Sequence, residues 1–270
     1  MQIKATLSTV GFWALGLVKP LRRLMWPIWL CCITLIGHTQ VMNPQVVSQN
    51  LLMSVKTGAD ASALLQQLAQ ISVQQLETAL TTDAARMAFW INIYNAITAY
   101  SLGQDPGQYR NRQRFFKRQQ IQLADATLSL NDVEHGILRR SRSLISLGYA
   151  RQWFRKKTNL RLQVDTLDYR IHFALNCGAK SCPPIAFYTP NRLQSQLNLA
   201  TRGFLKANVH LSANASKVQV PRILGWFRAD FGGKKGILKL LHTTGVLPPS
   251  AKPSIGFAPY NWDLMPKNFE

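Results

Sequence analysis

Asp83-Ala84-Ala85-Arg86-Met87-Ala88-Phe89-Trp90-Ile91-Asn92-Ile93-Tyr94-Asn95-Ala96-Ile97-Thr98-Ala99-Tyr100 is apolar on nearly every side of a helical period. A helix without a polar face belongs at the centre of a core. The stretch therefore predicts one long central helix, opened by Asp83 and ending before Gly103. Asn92 and Asn95 are three residues apart and share one face of it. Buried there, each amide must find partners or cost about 1–3 kcal/mol. Two roles fit them: tying the backbone of a neighbouring loop, or serving an active site as oxyanion donor or base-orienter.

Upstream, a polar connector over residues 38–49 leads to two short helices, about 60–70 and 72–80. Asp60 and Ser72 read as their caps, the second with Gln75 three residues on as a capping box. Downstream, Ile121-Gln122-Leu123 and Thr127-Leu128-Ser129 flank Asp125-Ala126 as a small hairpin. Ser129 and Asp132 then make a second capping box, with a helix beginning near Leu130 and carrying Glu134 and His135. Residues 170–176 alternate well enough to favour a strand. Asn191 caps a helix through Leu193, Leu197, Ala200 and Phe204, and strands over 209–212 and 217–220 form a hairpin about Asn214. Residues 222–230 read as a helix stopped by Gly232-Gly233, and residues 234–243 as another. The expected architecture is α+β: a helix-rich single domain with a small, mainly antiparallel sheet. Its main part is residues 83–245, after a connector and helical lead-in over 41–82. Residues 246–270 form an irregular carboxy-terminal tail that wraps the surface.

The 270 residues are 47% apolar, enough to bury a substantial core, and this excludes wholesale disorder. The balance of 32 Lys and Arg against 12 Asp and Glu gives a net charge of +20. Such a field attracts anionic partners. The excess is densest over residues 110–161, where the only acids are Asp125, Asp132 and Glu134. A solvated basic face, an anionic membrane surface and nucleic acid all fit that charge; the last is disfavoured because no nucleic-acid motif accompanies it.

At the amino terminus Lys19, Arg22 and Arg23 precede Leu24-Met25-Trp26-Pro27-Ile28-Trp29-Leu30-Cys31-Cys32-Ile33-Thr34-Leu35-Ile36. A positive flank before an apolar run is the order of an export signal. The run is shorter than the roughly 20 apolar residues of a spanning helix, and no small-residue cleavage site stands out after Gly37. Residues 1–40 are thus a signal or a membrane anchor. Positive residues stay on the cytoplasmic side, so the main domain is expected outside the cytoplasm, exported or tethered.

The chemistry concentrates in His172-Phe173-Ala174-Leu175-Asn176-Cys177-Gly178-Ala179-Lys180-Ser181-Cys182-Pro183-Pro184. With Cys31 and Cys32 in the leader, Cys177 and Cys182 are the thiols of the folded domain, and a turn at Gly178 would let their sulfurs meet. Three chemistries compete with a role as small apolar core residues. One is a disulfide, structural or reversible, favoured by an oxidising compartment. Another is a cysteine nucleophile, preferably Cys177, with His172 or His135 as base and Asn176 on the same side as His172. The third is a metal site drawn from Cys177, Cys182 and two of His135, His172 and Glu134.

Three motifs, residues 88–96, 128–139 and 170–184, together with Ile223-Leu224-Gly225-Trp226-Phe227-Arg228-Ala229-Asp230-Phe231-Gly232, resemble the family catalogued as domain of unknown function 547. The resemblance spans about residues 83–232. Some members of that family pair the domain with a leucine zipper, and no such heptad repeat occurs here. Some carry a glutaredoxin-like or electron-carrier label, whose Cys-x-x-Cys and β-α-β pattern this sequence lacks. In a papain-like or transglutaminase-like thiol fold the cysteine would start the main helix, whereas here it follows it. The expectation is therefore a thiol site, hydrolase, transferase or redox, at Cys177, Cys182, His172, His135, Glu134, Asn92, Asn95 and Asn176, with no cofactor. The competing class is a non-catalytic binding module whose basic face meets anionic surfaces or polymers, with a Cys177–Cys182 disulfide stapling a loop.

Overall fold

The computed structural model describes residues 42–269. The amino-terminal leader, with its export or anchor reading, lies outside them. Among the described residues no helix is long and apolar enough to cross a membrane.

The central helix is α4, Asp83–Gln104. Thr82 caps it by accepting the Ala85 N–H, and Asp83 sits in the first turn, where a negative charge suits the helix dipole. Every residue from Met87 to Ala99 is buried. Gly103 lies inside the helix, which stops instead at Asp105, ahead of Pro106.

Where a polar connector was expected, the chain forms a helix, α1, Pro44–Thr57. Asn43 caps it, Pro44 opens it, and Gly58 closes it in the left-handed conformation at φ 75°. Val47, Leu51 and Val55, with Ser48 and Leu52 beside them, make its buried stripe along α4. Gln45, Gln49 and Asn50 between those positions hide that period in the sequence. Two short helices follow as expected, α2 (Ser62–Gln70) and α3 (Val73–Ala79). Both bonds of the Ser72–Gln75 capping box are present, at 3.1 and 2.7 Å. Asp60 binds the Ser62 N–H, while the residue at the cap itself is Ala61.

After a 3₁₀ turn (Pro106–Asn111) and helix α5 (Arg112–Lys117), strands β1 (Gln119–Gln122) and β2 (Thr127–Ser129) form the expected antiparallel hairpin. The loop beyond them leads to α6 (Lys157–Leu162). The second sheet runs β3 (His210–Leu211), β4 (Lys217–Val220), β5 (Ser254–Phe257). Its β3–β4 pair is antiparallel and its β4–β5 pair parallel. Around it lie α7 (Leu193–Asn208), α8 (Ile223–Trp226) and α9 (Gly233–Thr243). The fold is thus helix-rich α+β with small, mostly antiparallel sheets, as the sequence predicts.

Four further local expectations fail for physical reasons. The segment expected as a strand at 170–176 contains a 3₁₀ helix, Tyr169–Phe173. Asp168 both caps it through the Arg170 N–H and grips the Arg170 guanidinium, and the chain is buried on all sides, so alternation there reflects no pleat. Asn191 lies within a 3₁₀ turn, Pro190–Arg192, and caps nothing. The helix expected over 222–230 lasts only for α8, because the chain then turns to bring Asp230 inward to Arg139 and His172. The tail is no mere wrapping, since it supplies β5 and then returns beside the cysteine loop, with Lys180 donating to the Asp263 carbonyl and Met265 to that of Gly178.

Candidate functional site

Three asparagines hold the cysteine loop. Asn92 donates to the Tyr188 carbonyl at 2.8 Å and accepts the Tyr188 N–H at 3.0 Å. Asn95 brackets the loop's entry in the same way, through the Ala174 carbonyl and the Asn176 N–H. Asn176 spans the loop itself, donating to the Pro183 carbonyl at 2.7 Å and accepting the Gly178 N–H at 2.8 Å. All three amides are buried and satisfied, and all serve backbone. Gly178 has φ 84°, and a Cβ there would meet Leu102 at 2.6 Å, so the turn requires glycine.

That turn brings the two sulfurs to 2.6 Å, closer than an unbonded pair normally sits and longer than the ~2.05 Å of a disulfide. Both cysteines are free thiols, so the expected stapling disulfide is not formed. The Cys177 N–H points at the Cys182 sulfur at 3.0 Å. The Tyr260 hydroxyl sits 3.3 Å from the Cys177 sulfur and 3.2 Å from that of Cys182. The environment splits the pair. The hydrogen bond from Cys182 lowers the Cys177 pKa against the cost of burial, helped by Tyr260 and the Ala179 N–H. Burial pushes Cys182 well up, reinforced by Cys177. Cys177 is partly exposed and Cys182 buried.

A second group of polar side chains starts from a π-helical segment, Asp132–Leu138, entered through Leu130 and Asn131. The Ser129–Asp132 capping box is present. Beyond it the Arg139 N–H reaches back five residues to the Glu134 carbonyl, and Ser141 likewise to Gly136. Widened turns of this kind recur at functional sites. Gly136 is obligatory, since a Cβ would collide with the Asn159 amide. Here Tyr94 donates to Glu134 at 3.1 Å, and the Glu134 carboxylate lies 3.6 Å from His135 Nδ1.

Arg139 is fully buried and binds three partners. Its Nε meets Asp230 Oδ2 at 2.6 Å, one terminal nitrogen meets His135 Nδ1 at 3.1 Å, and its guanidinium lies over Phe227. Asp230 also holds His172 Nε2 at 2.8 Å, and the His172 ring stacks on Phe227 with centroids 4.0 Å apart. Burial alone would raise the Asp230 carboxyl, but its bonds to His172 and Arg139 outweigh that and hold it below its ordinary value. Burial lowers both histidines, the nearby Arg139 charge adding to it and the carboxylates opposing it. Both rings are therefore neutral at neutral pH.

The two groups share one cavity of about 620 Å³, lined by Glu134, His135, His172, Cys177, Cys182 and Tyr260, with mostly apolar and aromatic walls. Of the residues the sequence singled out, five reach this cavity, while Asn92, Asn95 and Asn176 act behind it. Neither histidine hydrogen-bonds to a sulfur, because His172 is turned to Asp230 and His135 to Arg139. Among the described residues, no three His, Cys, Asp or Glu side chains are grouped to hold a metal ion. Sequence reading missed Arg139, Asp230 and Tyr260 as site residues. The first two sit inside the quoted motifs, where a buried charge was the usable signal; Tyr260 lies in a tail with no periodic pattern. Trp226 and Trp262 flank Tyr260 in an aromatic stack.

Fold and cavity together define a helix-rich α+β domain that brings a dithiol, Glu134 and two histidines to one chamber, with Arg139 and Asp230 buried behind the histidines. Residues 78–205 match the family described as "Protein of unknown function, DUF547", and the chain resembles that family over this stretch. Asp230, Tyr260 and the residues of α8 lie beyond the matched stretch. No curated protein and no solved structure matches the chain.

Proposed function

We propose that residues 42–269 are a thiol-disulfide redox domain in which Cys177 attacks and Cys182 resolves. One observation carries the reading: two free sulfurs 2.6 Å apart whose ionisation is displaced in opposite directions. The attacking partner in exchange must be accessible and carry thiolate, and Cys177 is the more exposed and more acidic of the two. Its thiolate bonds to one sulfur of a substrate disulfide, and the other sulfur leaves as thiolate. Cys182, on losing its proton, then attacks the Cys177 sulfur and expels the second substrate thiolate. Two electrons pass to the substrate and the pair is left oxidised. The apolar and aromatic walls suit a disulfide or dithiol presented among apolar groups. The leader over residues 24–36 supports a domain acting outside the cytoplasm, exported or tethered.

The test equilibrates the full chain in glutathione buffers of graded poise, alkylates free thiols and locates the label by mass spectrometry. The expected result is reversible interconversion of the Cys177–Cys182 pair, with Cys182→Ser trapping mixed disulfides at Cys177. A pair that stays dithiol in the most oxidising buffer overturns the reading.

A second reading, a thiol hydrolase or transferase, draws support from His172, which lines the same cavity and is held from behind by Asp230. Asp230 would orient His172 as base toward Cys177. Cys182→Ser separates the two: it abolishes redox cycling and leaves a hydrolytic nucleophile in place.

A further inference from the structure

The chain between the π-helical segment and α6 exposes apolar side chains that no packing need explains. Ile145 is 98% exposed, Trp153 90% and Phe154 88%, with Tyr149 at 64% and Leu144 at 46%. The loop is nevertheless built. Arg142 and Arg151 pair across it, Ser143 donates to Ala150 and Gln152 to Ser141, and the Ala229 N–H fastens it to the body through the Leu147 carbonyl. Gly148, at φ 89°, lies so close to the Asp230–Arg139 pair that a Cβ would meet both. The loop is thus fixed at its base, with its largest apolar groups turned outward.

Charge says what covers them. Arg151, Arg155 and Lys157 are exposed among these side chains. No acidic residue occurs from His135 to Val164, in a chain of net charge +20. Aromatic and aliphatic groups interleaved with cations match the headgroup zone of an anionic bilayer. There indole and phenyl rings settle at the interface and lysine and arginine meet lipid phosphates. We propose that the loop over residues 140–157 docks on an anionic lipid surface. Ile145, Trp153 and Phe154 enter the headgroup layer, while Arg151, Arg155 and Lys157 bind its phosphates. Leu144 and Ile145 also line the cavity, so docking brings that wall of the cavity to the lipid. Nothing in this depends on the redox reading of the sulfurs.

The experiment uses the full chain with vesicles of phosphatidylglycerol and phosphatidylcholine in equal parts, and with phosphatidylcholine alone. Two readouts report on the loop itself, whatever the amino-terminal run does. One is hydrogen exchange over residues 140–157. The other is quenching by brominated acyl chains, taken as the difference between the native chain and Trp153→Ser. Expected are protection and Trp153 quenching on the anionic vesicles only. In the Trp153→Ser/Phe154→Ser variant, the lipid concentration giving half-maximal protection of the loop should rise roughly tenfold or more. Unchanged exchange and no Trp153 quenching on anionic vesicles overturn the proposal. Equal effects on both vesicles overturn the anionic assignment, and protection that grows with protein concentration without lipid gives the patch to a second copy and overturns it as well.

Discussion

The Tyr260 hydroxyl reaches both sulfurs, and its ring is held by Trp226 and Trp262 whether or not the oxygen is present. Tyr260→Phe should therefore leave the fold intact and raise the Cys177 pKa, slowing alkylation of Cys177 near neutral pH; the pH profile of iodoacetamide labelling measures it. The buried histidines set a pH limit on the fold. Their folded pKa values lie below the ordinary 6.5, so the unfolded chain takes up protons first as the pH falls. Stability is full above about 6.5 and is lost progressively below it, which urea midpoints taken between pH ~7.5 and ~5.5 will show. A second loss comes lower. Burial would raise Asp132, but Lys156, Ser129 and Asn159 hold it down at about 2 against an ordinary 3.8. Its contribution, on the order of 2 kcal/mol, is present above about 3.8 and disappears as the pH falls toward about 2. Asp132→Asn should cost a similar amount at neutral pH in urea unfolding. At this scale the sequence was informative about burial and silent about direction. It marked Asn92 and Asn95 as buried amides but left their partners open, because a helix face does not say which backbone it meets.

Elements decide the site through the cysteine loop and the π-helical segment. Asn95→Ala would leave the Ala174 carbonyl and the Asn176 N–H unpaired in the core, at a cost of about 2–4 kcal/mol. Urea unfolding measures that loss, and faster exchange at the Asn176 amide would place it in the loop. An intact amide at Asn176 with unchanged stability would refute the bracket. The helices with clear caps and periods were legible, α4 and the Ser72 and Ser129 boxes among them. Two kinds of element were not. Alternation in residues 170–176 mimics a strand because a chain buried on every side gives no period, so the local grip of Asp168 on Arg170 won. The extra residue of the π-helical segment leaves no mark in composition at all, although it sets the positions of Glu134, His135 and Arg139.

In the whole molecule, helix α1 and the tail are the two parts whose importance the sequence understated. Leu51, fully buried against α4, should cost about 2–5 kcal/mol on truncation to Ala, a value that urea midpoints check. The polar residues on the exposed face of α1 masked that burial, and the tail joins the body through backbone pairings and single aromatic contacts that leave no periodic pattern. Tyr260 follows Cys182 by 78 residues. A chain still being synthesised therefore carries both cysteines for some time before the hydroxyl that helps make Cys177 acidic exists. If the pair works as proposed, Cys177 has only the hydrogen bonds from Cys182 and the Ala179 N–H to favour its thiolate until the tail closes, and gains the further help of the hydroxyl late in the assembly of the protein.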